Sequence, residues 1–231
     1  MDIQRDYGDV AVLIPCYNEG LTVYATVTAM REALPGARVY VYDNRSTDDT
    51  AAEAARAGAE VRFSPVQGKG ATVRQMFKEV DARYYVMADG DTTYPAEMAP
   101  ALVRELDMGY DLVLGDRLGQ NYYQCDNGRF HNFGNWLVKL LINTLYRGRI
   151  SDVMTGFRGF SRDFVKTIRL ERDGFEVETE MTIWALRHNT AISTVPIHMS
   201  ERPKGSVSKV RAIRDGMDIV FLIIGSWLKG C

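Results

Sequence analysis

Cysteine and histidine are scarce in this chain, three of each, and their placement excludes several kinds of site. Cys16, Cys125 and Cys231 are odd in number and far apart. Neither a disulfide framework nor a CxxC metal site is therefore expected, and a reducing compartment fits best. His131, His188 and His198 lack any short ligand spacing and read as core or surface residues. The formal net charge of -2 leaves no excess of Lys and Arg to neutralise a polyanion, which argues against a nucleic-acid partner. The amino-terminal MDIQRDYGD lacks the basic-then-apolar order of a signal peptide, so the chain is expected to stay on the cytoplasmic side.

Long hydrophobic runs are also missing. The uncharged stretch 219–228, IVFLIIGSWL, falls well short of the roughly 20 residues that cross a bilayer. Lys209, Arg211 and Arg214 precede it, giving the composition of a segment lying on an anionic lipid surface. A helix docked on the core explains the same residues, and a longer parent chain could continue into spanning helices.

The 231 residues, 46% of them hydrophobic and 25% charged, suffice for one large core. Short apolar runs at 10–14, 39–42, 60–63, 84–88 and 111–114 alternate with helical patterns at 21–34, 48–57, 71–80 and from Pro95 to about Leu106. Such alternation predicts a mostly parallel sheet covered by helices. Further on come a long helix over 135–146 and a glycine-rich turn at 154–159. No internal repeat or linker marks a second domain.

In open α/β sheets, ligands bind beyond the carboxyl ends of the strands. Those ends are polar here: Pro15-Cys16-Tyr17-Asn18-Glu19, Asp43-Asn44-Arg45-Ser46 and Asp89-Gly90-Asp91. Asp89 and Asp91 are hard oxygen donors suited to Mg²⁺ or Mn²⁺, and Gly90 lets a ligand or another backbone approach closely. A cation bridging a diphosphate there would neutralise the charge that develops on a leaving group.

PCYNE (15–19), DNRSTDDT (43–50), QGKG (67–70) and DGDTTYP (89–95) resemble, in order, the motifs of family 2 glycosyltransferases with the GT-A fold. GDR (115–117), MTGFRGFSR (154–162), GFEVETE (174–180) and ERPKGSVSK (201–209) extend the likeness to the branch similar to dolichyl-phosphate mannose synthase and bacterial polyprenyl-phosphate glycosyltransferases. The resemblance implies a GT-A catalytic domain over 1–209 and an amphipathic or membrane-interfacial helix over 210–231. It further implies a nucleotide-sugar donor held by Pro15, Tyr17, Glu19, Asp43, Ser46, Lys69 and Gly90. Asp89 and Asp91 would hold Mg²⁺ or Mn²⁺ against the diphosphate, with Arg202 and Lys209 in a basic closing loop. Arg117 and Arg129 would grip a polyprenyl phosphate acceptor on the cytoplasmic face of a membrane, with a small membrane protein or a second copy as a further partner. Where relatives often read DADLQ, this chain has DGDTT, so Thr93 replaces a glutamine that would help bind metal.

A phosphate acceptor is chemically consistent, because its oxygen is already anionic and needs no general base. Arginine forks bind phosphate in a bidentate way and keep their charge. Direct attack on the anomeric carbon would invert it. Two alternatives remain, a saccharide hydroxyl as acceptor and a nucleotide-sugar binding module without catalysis. Glu176, Glu178 and Glu180 read as capping or ion-paired acids, and none is assigned as a base. The glycine-rich QGKG stretch offers helix-start N–H groups to an anion, or is a plain helix start. Trp136, Leu137, Leu140 and Leu141 follow helical spacing and face either the core or lipid.

Overall fold

The computed structural model describes residues 5–117, 129–207, 209 and 212–229. Its centre is a seven-stranded sheet of order β3-β2-β1-β4-β6-β5-β7. The strands are β1 (Val10–Cys16), β2 (Arg38–Asp43), β3 (Glu60–Phe63), β4 (Tyr84–Met87), β5 (Leu112–Asp116), β6 (Arg158–Ser161) and β7 (Ile192–Pro196). The helices are α1 (Val23–Ala33), α2 (Thr50–Arg56), α3 (Lys69–Glu79), α4 (Ala99–Asp107), α5 (Arg129–Leu145), α6 (Arg162–Thr167), α7 (Val177–Arg187) and α8 (Ala212–Lys229). A short 3₁₀ turn, Ala96–Met98, leads into α4 after Pro95.

β1 is apolar on both faces because both are covered, as a central parallel strand requires. Ala11 and Leu13 point into a core shared with α3, α5, α6, α7 and α8. Val10, Val12 and Ile14 point into a second core built with α1, α2 and α4. The predicted turn at 154–159 is corrected in part, since Arg158 and Gly159 belong to β6. This strand runs antiparallel to both neighbours, pairing Met87 with Arg158 and Val113 with Gly159. Its four residues carry too little periodicity to separate a strand from a turn.

The carboxyl-terminal helix is docked on the first core through Ile219, Leu222 and Ile223, and Tyr146 Oη donates to the Ile223 carbonyl at 2.8 Å. Its opposite face leaves Met217, Phe221, Ile224 and Leu228 exposed. On α5, Trp136 and Leu140 are exposed while Leu141 packs against the core. No helix among the described residues is long and apolar enough to cross a membrane.

Leu102 of α4 is fully buried beneath the sheet. Leu102→Ala is expected to cost about 2–5 kcal/mol through lost burial and a residual cavity. Urea denaturation should show a lower midpoint with an unchanged slope.

Candidate active site

Three loops leaving β1, β2 and β4 meet at the carboxyl edge of the sheet. Each contains a non-glycine residue with left-handed backbone: Asn18 (φ 53°), Arg45 (φ 65°) and Thr92 (φ 62°). That conformation is costly for a β-branched residue such as Thr92 and persists where surrounding contacts over-determine it. Here the contacts are explicit. Asn18 N donates to Ser46 Oγ at 2.9 Å, Thr47 N to Asn18 Oδ1 at 2.8 Å, Ser46 N to Asp43 Oδ1 at 3.2 Å and Thr92 N to Thr26 Oγ1 at 3.2 Å.

Close packing brings the acidic loop against its neighbours. A Cβ on Gly90 would lie 2.6 Å from Cys16 Sγ, and one on Gly156 would lie 2.7 Å from Asp89 Oδ2. Only glycine at both positions lets the β1 loop and the segment before β6 flank the carboxylates. Thr22 Oγ1 ties the β1 side to the same loop by donating to the Gly90 carbonyl at 2.8 Å. Tyr94 completes the wall, accepting from Gly156 N at 2.7 Å and stacking on Phe157. Burial pushes the Tyr94 phenol up to about 12.

The carboxylates are met by cations from three directions. Lys69 Nζ lies 2.5 Å from Asp89 Oδ1 and 2.6 Å from Glu178 Oε1, the latter off the hydrogen-bonding directions of the carboxylate. Burial works against its ammonium, but Asp89 and Glu178 outweigh burial and hold the Lys69 pKa above the ordinary lysine value. Arg202 pairs with Asp91 Oδ2, while Thr93 donates to Asp91 Oδ1 through Oγ1 at 2.6 Å and N at 3.0 Å. Lys209 Nζ reaches Glu19 Oε1 at 2.6 Å and the Asn18 carbonyl at 2.8 Å. Burial raises the Glu19 pKa and Lys209 opposes the rise. The Cys16 thiol is driven well above its usual range by burial and by the nearby Glu19, Asp89 and Asp43 carboxylates, so this buried cysteine is an inert thiol.

The sequence-derived residues thus converge unequally. Glu19, Asp43, Ser46, Lys69, Asp89, Gly90, Asp91, Arg202 and Lys209 line one edge, with Pro15 at the end of β1 and Tyr17 exposed beside it. Arg117 follows β5, and its Nε and Nη2 bind Asp152 at 2.6 and 2.8 Å. Arg129 is the first residue of α5, and its side chain lies outside the described residues. Three N–H groups at the QGKG helix start are already committed. Gly68 N donates to Asn44 Oδ1 at 2.7 Å, Gly70 N to the Asp173 carbonyl at 2.8 Å and Ala71 N to the same carbonyl at 3.2 Å. Lys69 therefore contributes through its side chain.

Two contributors were missed in the sequence. Asp152 carries no motif signal, whereas Glu178 lay within an acidic triplet whose members part company in the fold. Glu180 accepts from Glu171 N at 2.9 Å and Arg172 N at 3.1 Å, while Glu178 turns to Lys69.

Among the described residues no group of three or more His, Cys, Asp and Glu side chains gathers as a metal cage. Two carboxylates nevertheless fit Mg²⁺ or Mn²⁺, which keep water and substrate phosphate in their remaining positions. The absence of a side chain at Gly156 keeps Asp89 Oδ2 uncovered by a Cβ, consistent with that use.

The dolichyl-phosphate hexose transferase of Haloferax volcanii is 28% identical over 197 residues, 85% of each chain. Glycosyltransferase AglJ of the same organism is 34% identical over 214 residues, 92% of this chain and 70% of that protein. The crystal structure of glucosyl-3-phosphoglycerate synthase from Mycobacterium tuberculosis with Mn²⁺, UDP-glucose and phosphoglyceric acid superposes with a TM-score of 0.76 at 20% identity, covering 94% of this chain and 79% of that one. The shared architecture is the GT-A fold. Residues 11–169 match the family described as Glycosyl transferase family 2, and with that span and the likeness to AglJ the chain belongs to the family 2 glycosyltransferases.

Proposed function

We propose that this enzyme transfers a sugar from a nucleotide diphosphate donor to a polyprenyl phosphate at a membrane surface, with inversion at the anomeric carbon. The observation that carries the reading is the meeting of Asp89 and Asp91 with Lys69, Arg202 and Lys209 at one sheet edge. Asp89 and Asp91 would hold a divalent cation there, which when bound would supply positive charge to the departing diphosphate. Arg202 and Lys209 approach from the segment after β7 and offer further positive charge to that group. Pro15, Tyr17, Glu19, Asp43 and Ser46 hold base and ribose.

The acceptor supplies its own nucleophile. A phosphate oxygen forms the new bond to the anomeric carbon as the bond to the nucleoside diphosphate breaks, and the diphosphate leaves with the electron pair. No proton needs to be removed first. Arg117 and Arg129 bind the acceptor phosphate. Asp152, almost fully buried, fixes the Arg117 guanidinium by two hydrogen bonds, so the fork is oriented before any ligand arrives. The similarity to a dolichyl-phosphate hexose transferase supports a lipid-phosphate acceptor.

Membrane contact falls to α8. Met217, Phe221, Ile224 and Leu228 recur at helical spacing on the face turned away from the core, and Phe221 is 71% exposed. An exposed stripe of this kind lies in the headgroup region of a bilayer, on its cytoplasmic face, without crossing it.

Purified protein, Mn²⁺, candidate nucleotide sugars and undecaprenyl or dolichyl phosphate should give an organic-extractable sugar lipid. Failure with every common donor, or transfer only to saccharide hydroxyls, overturns the assignment. Asp91→Ala should lower the transfer rate by about 10²–10³-fold, as loss of an electrostatic stabiliser does, and chelation should abolish it reversibly. Arg117→Lys keeps a cation beside Asp152 but removes the planar fork. It should raise the KM for lipid phosphate about tenfold and leave the donor KM unchanged. Phe221→Asp should abolish co-flotation with anionic vesicles while sparing transfer to detergent-dispersed acceptor.

A further inference from the structure

We propose that Glu178, acting through Lys69, is a positioning residue of the donor site that sets how readily Asp89 takes up a divalent cation. The inference rests on the reading of Asp89 as a metal ligand. Glu178 stands apart from the loops that leave β1, β2 and β4. It reaches the site from the first turn of α7, and it is 3% exposed.

Folding gives this acid one other task, since its charge also faces the buried Arg158. Its neighbours on α7, Val177 and Met181, are buried in the first core, and a side chain of similar volume without charge would pack equally well among them. A buried carboxylate is costly unless a cation answers it. The answering cation is Lys69, whose ammonium stands 2.6 Å from Glu178 and 2.5 Å from Asp89. Lys69 is itself oddly placed. It is the first residue of α3, where the helix dipole presents partial positive charge and disfavours an ammonium. Two carboxylates together offset that cost and burial. Glu178, by contrast, sits at the favourable end of its own helix.

Arg158, fully buried behind this group, is not an alternative anchor for Glu178 by hydrogen bonding. Its Nε, Nη2 and Nη1 donate to the Thr155 carbonyl, the Val153 carbonyl and Thr182 Oγ1 at 2.8, 2.6 and 3.2 Å. Burial lowers its pKa to about 10 and the Glu178 and Asp152 charges oppose the fall. Glu178 thus faces a second cation that its own charge helps to keep protonated.

Sharing one ammonium between two carboxylates has a chemical consequence. Lys69 hydrogen-bonds Asp89 while its charge also answers Glu178, so a divalent cation competes for Asp89 against an ammonium that serves two acids. Without the Glu178 charge, Lys69, already 2.5 Å from Asp89, answers Asp89 alone and the site becomes less negative by one unit. Both effects oppose a cation, and neither opposes an anionic nucleotide.

Glu178→Gln keeps the shape and removes the charge. The expected result is Mn²⁺ affinity, read by electron paramagnetic resonance, weakened about 10–100-fold, the range seen when a residue that orients a metal ligand is lost. UDP affinity measured by calorimetry without metal should be unchanged or tighter. Equal weakening of Mn²⁺ and UDP would mark a merely structural lesion and overturn the proposal, as would unaltered Mn²⁺ binding. Should Glu178→Gln not fold, Glu178→Asp draws the carboxylate back from Lys69 while retaining charge. It should weaken Mn²⁺ by a smaller factor, and wild-type affinity overturns the proposal. If the wild-type protein binds no Mn²⁺, the metal reading falls by itself. A crystal structure of either variant then decides the positioning role, with an undisplaced Lys69 and Asp89 counting against it.

Discussion

Too much negative charge gathers at one sheet edge to be stable alone, and the rest of the site is arranged around that constraint. Glu19, Asp43, Asp89, Asp91 and Glu178 come together from four parts of the chain, with Lys69, Arg202 and Lys209 as their counter-ions. Arg158 stands buried behind Glu178 as a fourth cation, so the carboxylates still outnumber the cations around them. A diphosphate donor then adds negative charge that a divalent ion and the two cations after β7 can share. Burial sharpens these interactions, since low local polarity strengthens each pairing and penalises each unpaired group.

The fold supplies the rigidity such a cluster needs. β1, β2 and β4 are held in parallel register, Ala11 opposite Arg38 and Val10 opposite Tyr84, so their loops emerge at fixed mutual positions. The left-handed residues Asn18, Arg45 and Thr92 turn those loops sharply as they leave the strands. Residues at 90 and 156 without side chains then let the segments close to contact. Rigid strands, tight turns and bare glycines together determine where Asp89 and Asp91 stand.

Much of this was legible in the amino-acid order. Apolar runs of four or five residues bounded by polar clusters gave β1, β2, β4 and β5, because a buried parallel strand needs an unbroken hydrophobic stretch, while β3, EVRF, is a half-exposed edge strand. The motifs after them marked the edge, since a sheet of this kind presents its loops there. Three things were hidden. β6 looked like a turn because Gly159 and its neighbours show no alternation, and its direction depends on partners far away in the chain. Asp152 gave no sign of its pairing with Arg117, for the same reason. Glu178 could not be told from Glu176 and Glu180, since which of three nearby acids faces a lysine more than a hundred positions earlier is decided by how α7 packs.

The reversed direction of β6 links two regions that otherwise have no reason to communicate. The loops after β1, β2 and β4 depart from their strands at the carboxyl edge, but 152–157 arrives there, and it arrives from α5. Asp152 and Gly156 are therefore threaded on the same length of chain that leaves the helix packed against α8. On the proposed reading, a lipid surface on the outer face of α8 would bear on a helix packed against α5, whose chain runs on to the glycine beside Asp89 and to the acid that aims Arg117.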